Sequence, residues 1–422
     1  MYFVYFVCFV VNTSRNPLSS RTVSIRTMSL SSKILTAGAF LAFFAFGFVD
    51  NLKGPLLPEI LRVEKMSYAQ GGTFFLAAYI GFIVATLASG VLADVLSNRR
   101  VLLLSAICLL AGAGGLNATD SLLLLNLFMA IIGIGLGGIE VGANGLMVEL
   151  HSAQRARYLN LLATFHGVGS LLVPLVAAWL IAVPLAWPQI YLCTAVLAIP
   201  LIGIFTLTSQ AVAGKPPDGA TGWSWRELMQ VGFTWRMCWF YVLICAYVAI
   251  ELGVAAWLVE YLQSELQLGV SQSSFYLSGY FAMIMLGRFF GSWWVERVGY
   301  LRMIAMALVG ALACLAAGLF GPAEWRLLLP ISGLFMSIIF PTVAAAVAAA
   351  HPSNVGSIFG ILFTFGGVGG ALGPWVIGLV SQVNGLRWGL ASTLAFGIIA
   401  LIAVVILWRP QPRNMATATG HN

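Results

Sequence analysis

Six residues with ionisable side chains lie inside long apolar stretches of the sequence: Asp50, Lys53, Glu140, His166, Glu251 and Arg288. A charged side chain at the centre of a bilayer costs at least about 2.5–3.5 kcal/mol on insertion scales, so a residue of this kind is functional by default. Such groups can neutralise one another, hold a proton or bind a polar solute. We therefore expect the functional site among them.

Asp50 and Lys53 are three positions apart, a spacing that places both side chains on one face of a helix. One interpretation is a structural ion pair that lines a cavity. The other is that Lys53 releases Asp50 when a substrate or a cation arrives, or that one of the two binds the substrate directly.

Glu140 lies in a glycine-rich stretch, and Asn144 follows it by about one helical turn. No Lys or Arg precedes Glu140 nearby, so its carboxylate must take up a proton or find a partner on another helix. A group that changes its charge between two states of a carrier is what coupling to an ion gradient requires. The alternative is that the small residues only allow neighbouring helices to pack closely.

His166 lies in a segment that recurs later in the chain with Gly366 in place of the histidine. This difference argues against a purely architectural role. We expect His166 to contact the substrate or Glu140, although a lone histidine in a helix often serves only as a hydrogen-bonding group. Asn160, six residues before His166, is a second polar candidate.

Aromatic residues accompany the ionisable groups in two later segments. Tyr247 and Trp257 flank Glu251, and Tyr280 lies in the next segment. Aromatic faces beside hydrogen-bonding groups suit sugars, although aromatic residues are common in membrane helices generally. Arg288, near the end of its segment, is predicted to reach the membrane surface or to pair with an acidic residue nearby.

The composition excludes a water-soluble fold, because 60% of the 422 residues are hydrophobic and 8% are charged. Soluble domains contain about 25% charged residues. The formal net charge of +7 comes from Lys and Arg residues dispersed over short loops, which argues against a nucleic-acid partner. The sequence has no Cys-x-x-Cys pair, HExxH motif or Ser/His/Asp set, so we expect no metal, no cofactor and no enzyme activity.

Apolar segments of membrane-spanning length recur twelve times, which predicts an all-α membrane protein. Six segments at 34–62, 71–94, 100–117, 121–150, 157–183 and 188–208 form a predicted N-terminal bundle over 34–208. Six more at 237–263, 271–295, 301–320, 326–350, 355–383 and 388–408 form a predicted C-terminal bundle over 237–408. The polar stretch 209–236 is a predicted linker, and 409–422 is a predicted tail.

Lys and Arg residues are distributed unevenly between the two sides of these segments. The connections on one side hold only Arg62, Lys65, Arg326 and Arg387. Because positively charged loops stay in the cytoplasm, the linker and both termini are predicted to be cytoplasmic, in the plasma or inner membrane. Residues 1–33 are predicted to lie outside the fold, as a mistaken start with Met28 as initiator, a transit-like leader or a disordered arm.

An internal repeat indicates that the two bundles are related. Thr164–Gly169 reads Thr-Phe-His-Gly-Val-Gly, and Thr364–Gly369, 200 positions later, reads Thr-Phe-Gly-Gly-Val-Gly. Pro174 and Pro374 have the same separation. Duplication of a six-helix unit explains this pattern and predicts two pseudo-symmetric bundles.

The connection after the second predicted helix carries four residues of a candidate conformational switch: Gly90, Asp94, Arg99 and Arg100. Acidic and basic residues recur after the eighth predicted helix, at Glu296 and Arg302. The first of these loops resembles a loop motif of the Major Facilitator Superfamily. It departs from that motif at Ser97 and Asn98, where Gly-Arg is usual.

Two parallel six-helix halves are the layout of the Major Facilitator Superfamily, and within it the sequence resembles the fucose:proton symporter family. The resemblance runs from about residue 46 to the end of the last predicted helix and is carried by Leu56–Pro58, Gly135–Asn144, Leu159–His166, Gly287–Phe289 and Phe335–Thr342. His166 stands where this family has asparagine. The family's helix-one aspartate falls at Gly54, one turn after Asp50, and Lys53 replaces an asparagine.

The resemblance implies a secondary active transporter that moves a small polar solute, most of all a monosaccharide, by alternating access in symport with H⁺ or Na⁺. It implies that Glu140 binds the sugar and takes part in coupling. We expect a monomer whose partners are a sugar and membrane lipid, and whose cavity is lined by Asp50, Lys53, Glu140, Asn144, His166, Glu251 and Trp257. The alternative within transport is an exporter of drugs or metabolites. A sensor or scaffold would need a soluble domain, which the sequence does not contain.

Overall fold

The structure, a computed structural model, describes residues 29–151, 154–183, 185–208, 232–350 and 355–409. Within these ranges the side chains of residues 90–95, 155–156, 291–294, 296, 350 and 355–357 are outside the description. The expectations for residues 1–28, for most of the linker and for the tail after residue 409 also fall outside the described residues.

The described chain is helical throughout, and its α-helices are numbered here in chain order. The first half contains α1 (Leu30–Asn51), α2 (Lys53–Val63), α3 (Tyr68–Leu96), α4 (Asn98–Leu116), α5 (Leu122–Leu150), α6 (Arg155–Ile181), α7 (Trp187–Thr194) and α8 (Ala198–Leu207). The second half contains α9 (Trp235–Ser264), α10 (Val270–Val298), α11 (Tyr300–Phe320), α12 (Leu328–Met336), α13 (Ile339–Ala350), α14 (Val355–Asn384) and α15 (Leu386–Trp408).

The first helix begins at Leu30, four residues before the predicted start at residue 34. Its N-terminus is capped by Ser29, whose hydroxyl accepts a hydrogen bond from the Ser32 amide at 3.1 Å. Such a cap satisfies an amide that has no partner within the helix. Hydropathy alone does not reveal it, because the capping residues are polar.

Among the described residues, eleven spans are long and apolar enough to cross a membrane. The helix α10 supplies the twelfth pass: its 29 residues reach about 43 Å at about 1.5 Å per residue. It is less apolar because part of it faces other helices with polar side chains, such as the fully buried Ser273 and Ser274. The predicted all-α membrane fold of two six-helix bundles is confirmed.

Three of the spans are each broken into two helices, at Leu52, at Ala195–Leu197 and at Ser337–Ile338. A proline follows each break, at Pro55, Pro200 and Pro341. Because proline has no amide hydrogen, the carbonyl four residues earlier loses its helical partner. Proline alone is not sufficient, since α6 and α14 continue through Pro174 and Pro374.

Equivalent contacts in the two halves confirm the duplication. In the first half, Gly169 of α6 packs against the carbonyl of Phe44 in α1, and in the second half Gly369 of α14 packs against the carbonyl of Cys245 in α9. The Phe40 and Phe165 rings stack with centroids 4.8 Å apart. Their counterparts, Tyr241 and Phe365, stack at 4.7 Å.

The two halves meet mainly through α3 with α14, α6 with α10, and α2 with α9. In the α6–α10 contact, the Ser278 hydroxyl donates a hydrogen bond to the Leu171 carbonyl at 3.0 Å. In the α2–α9 contact, Gly54 lies against the Ala255 carbonyl, where a Cβ would be only 2.5 Å from the oxygen. Glycine therefore permits the halves to approach at this point.

One end of the bundle holds the connections at residues 64–67, 117–121, 265–269 and 385, and is called here the loop face. Just inside it, Tyr68, Trp257, Glu260 and Pro374 join the two halves, and we call this group the loop-face gate. The Tyr68 hydroxyl donates to Glu260 at 3.4 Å, and the Trp257 indole donates to the Pro374 carbonyl at 2.9 Å. The Tyr68 and Trp257 rings meet edge to face at 5.8 Å. The interior is thus closed at the loop face.

At the opposite end, Arg99 of the candidate switch caps α8, because its guanidinium donates to the carbonyls of Phe205 at 2.9 Å and Thr208 at 2.8 Å. Arg100 is exposed, and the side chains of Gly90–Val95 lie outside the description. The turn before Arg99 is unusual: Ser97 has φ 83° and ψ 149°, a conformation that favours glycine. The matching turn between α10 and α11 has Gly299 at φ 90° and ψ 147°.

Replacing Ser97 with glycine is expected to stabilise the protein. The backbone conformation costs about 1–3 kcal/mol for a residue with a Cβ, whereas the added freedom of glycine in the unfolded chain costs about 0.4–1 kcal/mol. A net gain of about 1 kcal/mol should raise the midpoint of thermal unfolding in detergent. Gly299→Ala is the matched control and should lower the midpoint; a midpoint that does not rise for Ser97→Gly contradicts the strain assigned to this turn.

Candidate functional site

A cavity lies between the two halves, near the middle of the helices. It encloses about 780 Å³ not filled by protein atoms, including solvent-connected space. Its polar lining residues are Asp50, Asn51, Tyr79, His166, Ser170, Glu251 and Arg288, and its aromatic ones are Phe46, Phe82, Phe281, Phe340 and Phe363.

The first half contributes an ion pair to this cavity. The Lys53 ammonium lies 2.6 Å from Asp50 Oδ1, which confirms the pair expected from their spacing, and the side chains are 3% and 11% exposed. The Tyr79 hydroxyl donates to Asp50 Oδ2 at 3.2 Å, while Lys53 Nζ lies 5.2 Å from the centre of the Tyr79 ring. Both oxygens of the carboxylate are therefore engaged by groups of the same half.

The second half contributes a looser ion pair. The Arg288 guanidinium lies 3.8 Å from Glu251 Oε1, at the limit of a salt bridge, and the Tyr247 hydroxyl donates to Glu251 Oε2. The Tyr280 hydroxyl donates to the backbone carbonyl of Glu251 at 3.2 Å. Arg288 was expected to reach the membrane surface or to pair with Glu296 or a neighbouring loop acid. Its side chain is 15% exposed and faces Glu251 of α9, and the side chain of Glu296 lies outside the description.

The two carboxylates are equivalents under the duplication. Asp50 and Glu251 are separated by 201 positions, and so are Tyr79 and Tyr280, which bond to them. Each acidic residue thus lies on the first span of its half and accepts a hydrogen bond from a tyrosine of the second span, through its carboxylate in Asp50 and through its backbone carbonyl in Glu251. Their cations differ, since Lys53 comes from the same span as Asp50 and Arg288 from a neighbouring span to Glu251.

His166 belongs to a hydrogen-bonded chain on the cavity wall. Its Nδ1 lies 3.0 Å from the Ser170 hydroxyl, which accepts a hydrogen bond from the Asn51 amide at 3.0 Å. The imidazole packs edge-on against Phe46 at 4.7 Å and fills the space beside Gly47. A histidine fits at this position because the facing residue is glycine.

The second half exchanges large and small residues at the equivalent contact. There the glycine is Gly366, in the position of His166, and the facing residue is Val248, 3.7 Å from a Cβ built on Gly366. The exchange keeps the helices packed in both halves. As a result, the cavity has the His166 imidazole on the side of the first half and the apolar Val248 side chain on the side of the second half.

Glu140 lies on α5 outside the lining of this cavity. It is 6% exposed, and the Asn144 amide donates to its backbone carbonyl at 2.7 Å and to its Oε1 at 3.2 Å. Within the described ranges, Glu140 Oε2 and Asn144 Oδ1 have no hydrogen-bond partner, and no Lys or Arg forms a salt bridge with Glu140. The side chain is a buried carboxyl whose charge is not compensated by a cation there.

Three other predicted site residues lie away from the cavity. Trp257 belongs to the loop-face gate, and the Tyr280 ring is fully buried with its hydroxyl on Glu251 and 3.2 Å from the Met336 sulfur. Asn160 lies on α6, and its backbone carbonyl accepts a hydrogen bond from Thr164 at 3.0 Å. The site therefore gathers Asp50 with its partner Lys53, His166 and Glu251 from the predicted set.

Two polar residues of the cavity wall, Asn51 and Ser170, were not predicted from the sequence. They carried no separate signal, although Pro55 marks the break that turns Asn51 inward. Arg288 was among the ionisable residues singled out from the sequence, and its place on the cavity wall had a readable signal, because Phe281, Ile284, Met285 and Arg288 follow the 3, 4, 7 spacing of one helical face.

The arrangement suits binding rather than bond chemistry. Side-chain donors and acceptors from both halves converge on an aromatic-walled space, and no group of three metal-ligating side chains occurs among the described residues. Two duplicated helical bundles with such a space at their interface define a membrane solute carrier.

The chain belongs to the Major Facilitator Superfamily, whose sequence profile matches residues 39–328 and 242–421. It is 23% identical over 398 residues to the L-fucose-proton symporter of Escherichia coli (strain K12), covering 86% of this chain and 90% of that one. It is 24% identical over 426 residues to a glucose/galactose transporter of Brucella abortus biovar 1 (strain 9-941), covering 93% and 98%.

A solved structure has the same fold. It is a bacterial homologue of the human lysosomal transporter Spinster in an inward-facing, unoccupied conformation. The TM-score is 0.77 at 16% sequence identity, over 90% of this chain and 97% of that one.

Asp50→Asn is expected to destabilise the protein by about 3–5 kcal/mol, because it leaves Lys53 as a buried cation without its partner. The double variant Asp50→Asn/Lys53→Met should recover most of this loss. The midpoint of thermal unfolding in detergent measures both effects.

Glu59→Gln is the matched control, since Arg62 and Glu59 form a pair of the same spacing with side chains that are 75% and 25% exposed. Such a pair contributes about 0–1 kcal/mol. Equal losses for Asp50→Asn and Glu59→Gln, or no recovery in the double variant, would contradict the buried ion pair.

Proposed function

We propose that the protein is a secondary active transporter that moves a monosaccharide across the membrane by alternating access, in symport with a proton or a sodium ion. The observation that carries this proposal is the cavity between two duplicated bundles, with one carboxylate–cation pair from each half. A solute bound there contacts both halves, so its binding can bias their relative positions.

The cavity lining supports a sugar as the solute. Sugar hydroxyls need fixed donors and acceptors, which the side chains of Asp50, Asn51, Glu251 and Arg288 offer. The C–H faces of a sugar ring pack on aromatic rings, which Phe46, Phe82 and Phe340 and their neighbours offer. The names of the relatives, an L-fucose-proton symporter and a glucose/galactose transporter, support the same class.

Glu140 is the proposed coupling group. Asp50 and Glu251 each have a cation nearby, whereas in the described ranges Glu140 has only the Asn144 amide. A buried carboxyl with no compensating cation is less costly when it is protonated. A proton on Glu140 in one state and its loss in the other would tie transport to a proton gradient.

The topology belongs to the proposal as well. The loop face is extracellular, and the face with both termini is cytoplasmic, because the loop face carries few basic residues. The chain acts as a monomer in the plasma or inner membrane, without a resident cofactor. Export of drugs or metabolites, the alternative considered from the sequence, is not favoured by the sugar transporters among the relatives.

Uptake into proteoliposomes tests this function. The panel is L-fucose, D-glucose, D-galactose and D-xylose, with pH and sodium gradients applied separately. At least one sugar is expected to accumulate, up to about tenfold per pH unit if one proton moves with each sugar. Glu140→Gln should abolish this accumulation and retain exchange of labelled for unlabelled sugar, because the side chain cannot release a proton.

Glu59→Gln, on a partly exposed carboxylate of α2, is the control and should accumulate sugar like the wild type. Failure of every sugar to enter would overturn the substrate class. Accumulation by Glu140→Gln at the wild-type level would overturn the coupling role and leave the substrate class standing.

A further inference from the structure

A buried carboxyl of the loop-face gate has no place in the function described so far. Glu260 is 7% exposed, and its Oε1 accepts a hydrogen bond from the Tyr68 hydroxyl at 3.4 Å. It lies on α9, nine residues beyond Glu251, where α9 contacts the start of α3. Closing the gate therefore buries this carboxyl between the two halves.

The charged surroundings of Glu260 do not compensate it. Among the residues that the structure describes, no Lys or Arg nitrogen lies within 4.0 Å of its carboxylate. From α3 it meets Tyr68, near which Glu265, the residue that follows α9, adds a second negative charge. Arg387 of α15 interacts with Tyr261 instead. Arg62 of α2 pairs with Glu59, and α14 presents Pro374, Trp375 and Gly378 at the gate, none of which titrates.

The charge on Glu260 must therefore oppose closure. In a gate that opens at the loop face, this carboxylate is in contact with solvent and its charge is hydrated. In the closed gate, burial removes this hydration, and one long hydrogen bond from a neutral hydroxyl replaces little of it. A protonated carboxyl does not carry this penalty, so the closed gate binds a proton more tightly than the open gate.

We propose that Glu260 is a proton-binding site of the loop-face gate: it takes up a proton from the solution at that face, and the neutral carboxyl then allows the gate to close. The proposal rests on the alternating-access part of the proposed function and is independent of the sugar. The proton bonds to a carboxylate oxygen on closure and returns to the same solution when the gate reopens. Glu260 thus sets how acidity at the loop face controls the gate, and Glu140 retains the coupling role.

Distance measurements between spin labels on the two halves test the proposal without substrate. The labels replace Val63 at the end of α2 and Gln272 in the first turn of α10, both exposed, in a full-length background without native cysteines. Pulsed electron paramagnetic resonance at pH 5–8 gives the ratio of short label distances, from the closed gate, to long ones, from the open gate. In the otherwise unchanged gate this ratio should rise on acidification, by up to about tenfold per pH unit for one proton. In Glu260→Gln it should stay high and independent of pH.

Glu265→Gln is the matched control, since Glu265 is an exposed carboxylate five residues after Glu260, directly beyond the end of α9, and this variant should keep the original pH dependence. If Glu260→Gln does not fold, Tyr68→Phe replaces it: loss of the hydroxyl weakens closure over the charged carboxyl and should widen the difference between pH 5 and pH 8. A pH dependence that survives in Glu260→Gln, or is lost equally in Glu265→Gln, overturns the proposal. If the label distance does not change with pH while sugar uptake proceeds, the proposed role of Glu260 is overturned and the proposed transport function is not affected.

Discussion

Every carboxylate buried among these helices must be neutralised by a cation, by hydrogen-bond donors or by a proton. Asp50 and Glu251 have cations, Lys53 at 2.6 Å and Arg288 at 3.8 Å. In the described ranges, Glu140 and Glu260 have none at salt-bridge distance. This contrast divides the charged interior in two. The paired carboxylates contribute to the polarity of the cavity, and the two without cations are the groups that we propose to exchange a proton between states.

Duplication explains where the paired carboxylates lie, and divergence explains why the cavity is not symmetric. The same packing of the fifth span on the first recurs in the second half, with Gly169 on Phe44 and Gly369 on Cys245. On this common frame, His166 in one half is replaced by Gly366 in the other. The two pairs also differ in closeness, since the members of the second-half pair are 3.8 Å apart and those of the first-half pair 2.6 Å.

Local patterns in the sequence predicted the spans, the two halves and the Asp50–Lys53 pair, because hydropathy, repeats and helical spacing act over short stretches of chain. They did not predict contacts that depend on how helices cross. Arg288 meets Glu251 only because α10 packs beside α9, and the Trp257 indole finds the Pro374 carbonyl 117 positions away. Likewise, the apolar, glycine-rich surroundings of Glu140 in the sequence singled it out but could not determine whether the cavity reaches it. The breaks in three spans could not be predicted from proline alone, because other spans continue as helix through Pro174 and Pro374.

The central claim is that the solute binds between the carboxylate pairs of the two halves. An electron cryomicroscopy structure of the protein, held rigid by an antibody fragment and saturated with the sugar that it accumulates, tests this claim most directly. We predict density for the sugar within hydrogen-bonding distance of Asp50 or Asn51 on one side and of Glu251 or Arg288 on the other, with its ring against the phenylalanines of the wall. Sugar density that contacts one half only, or that lies outside this cavity, would contradict it.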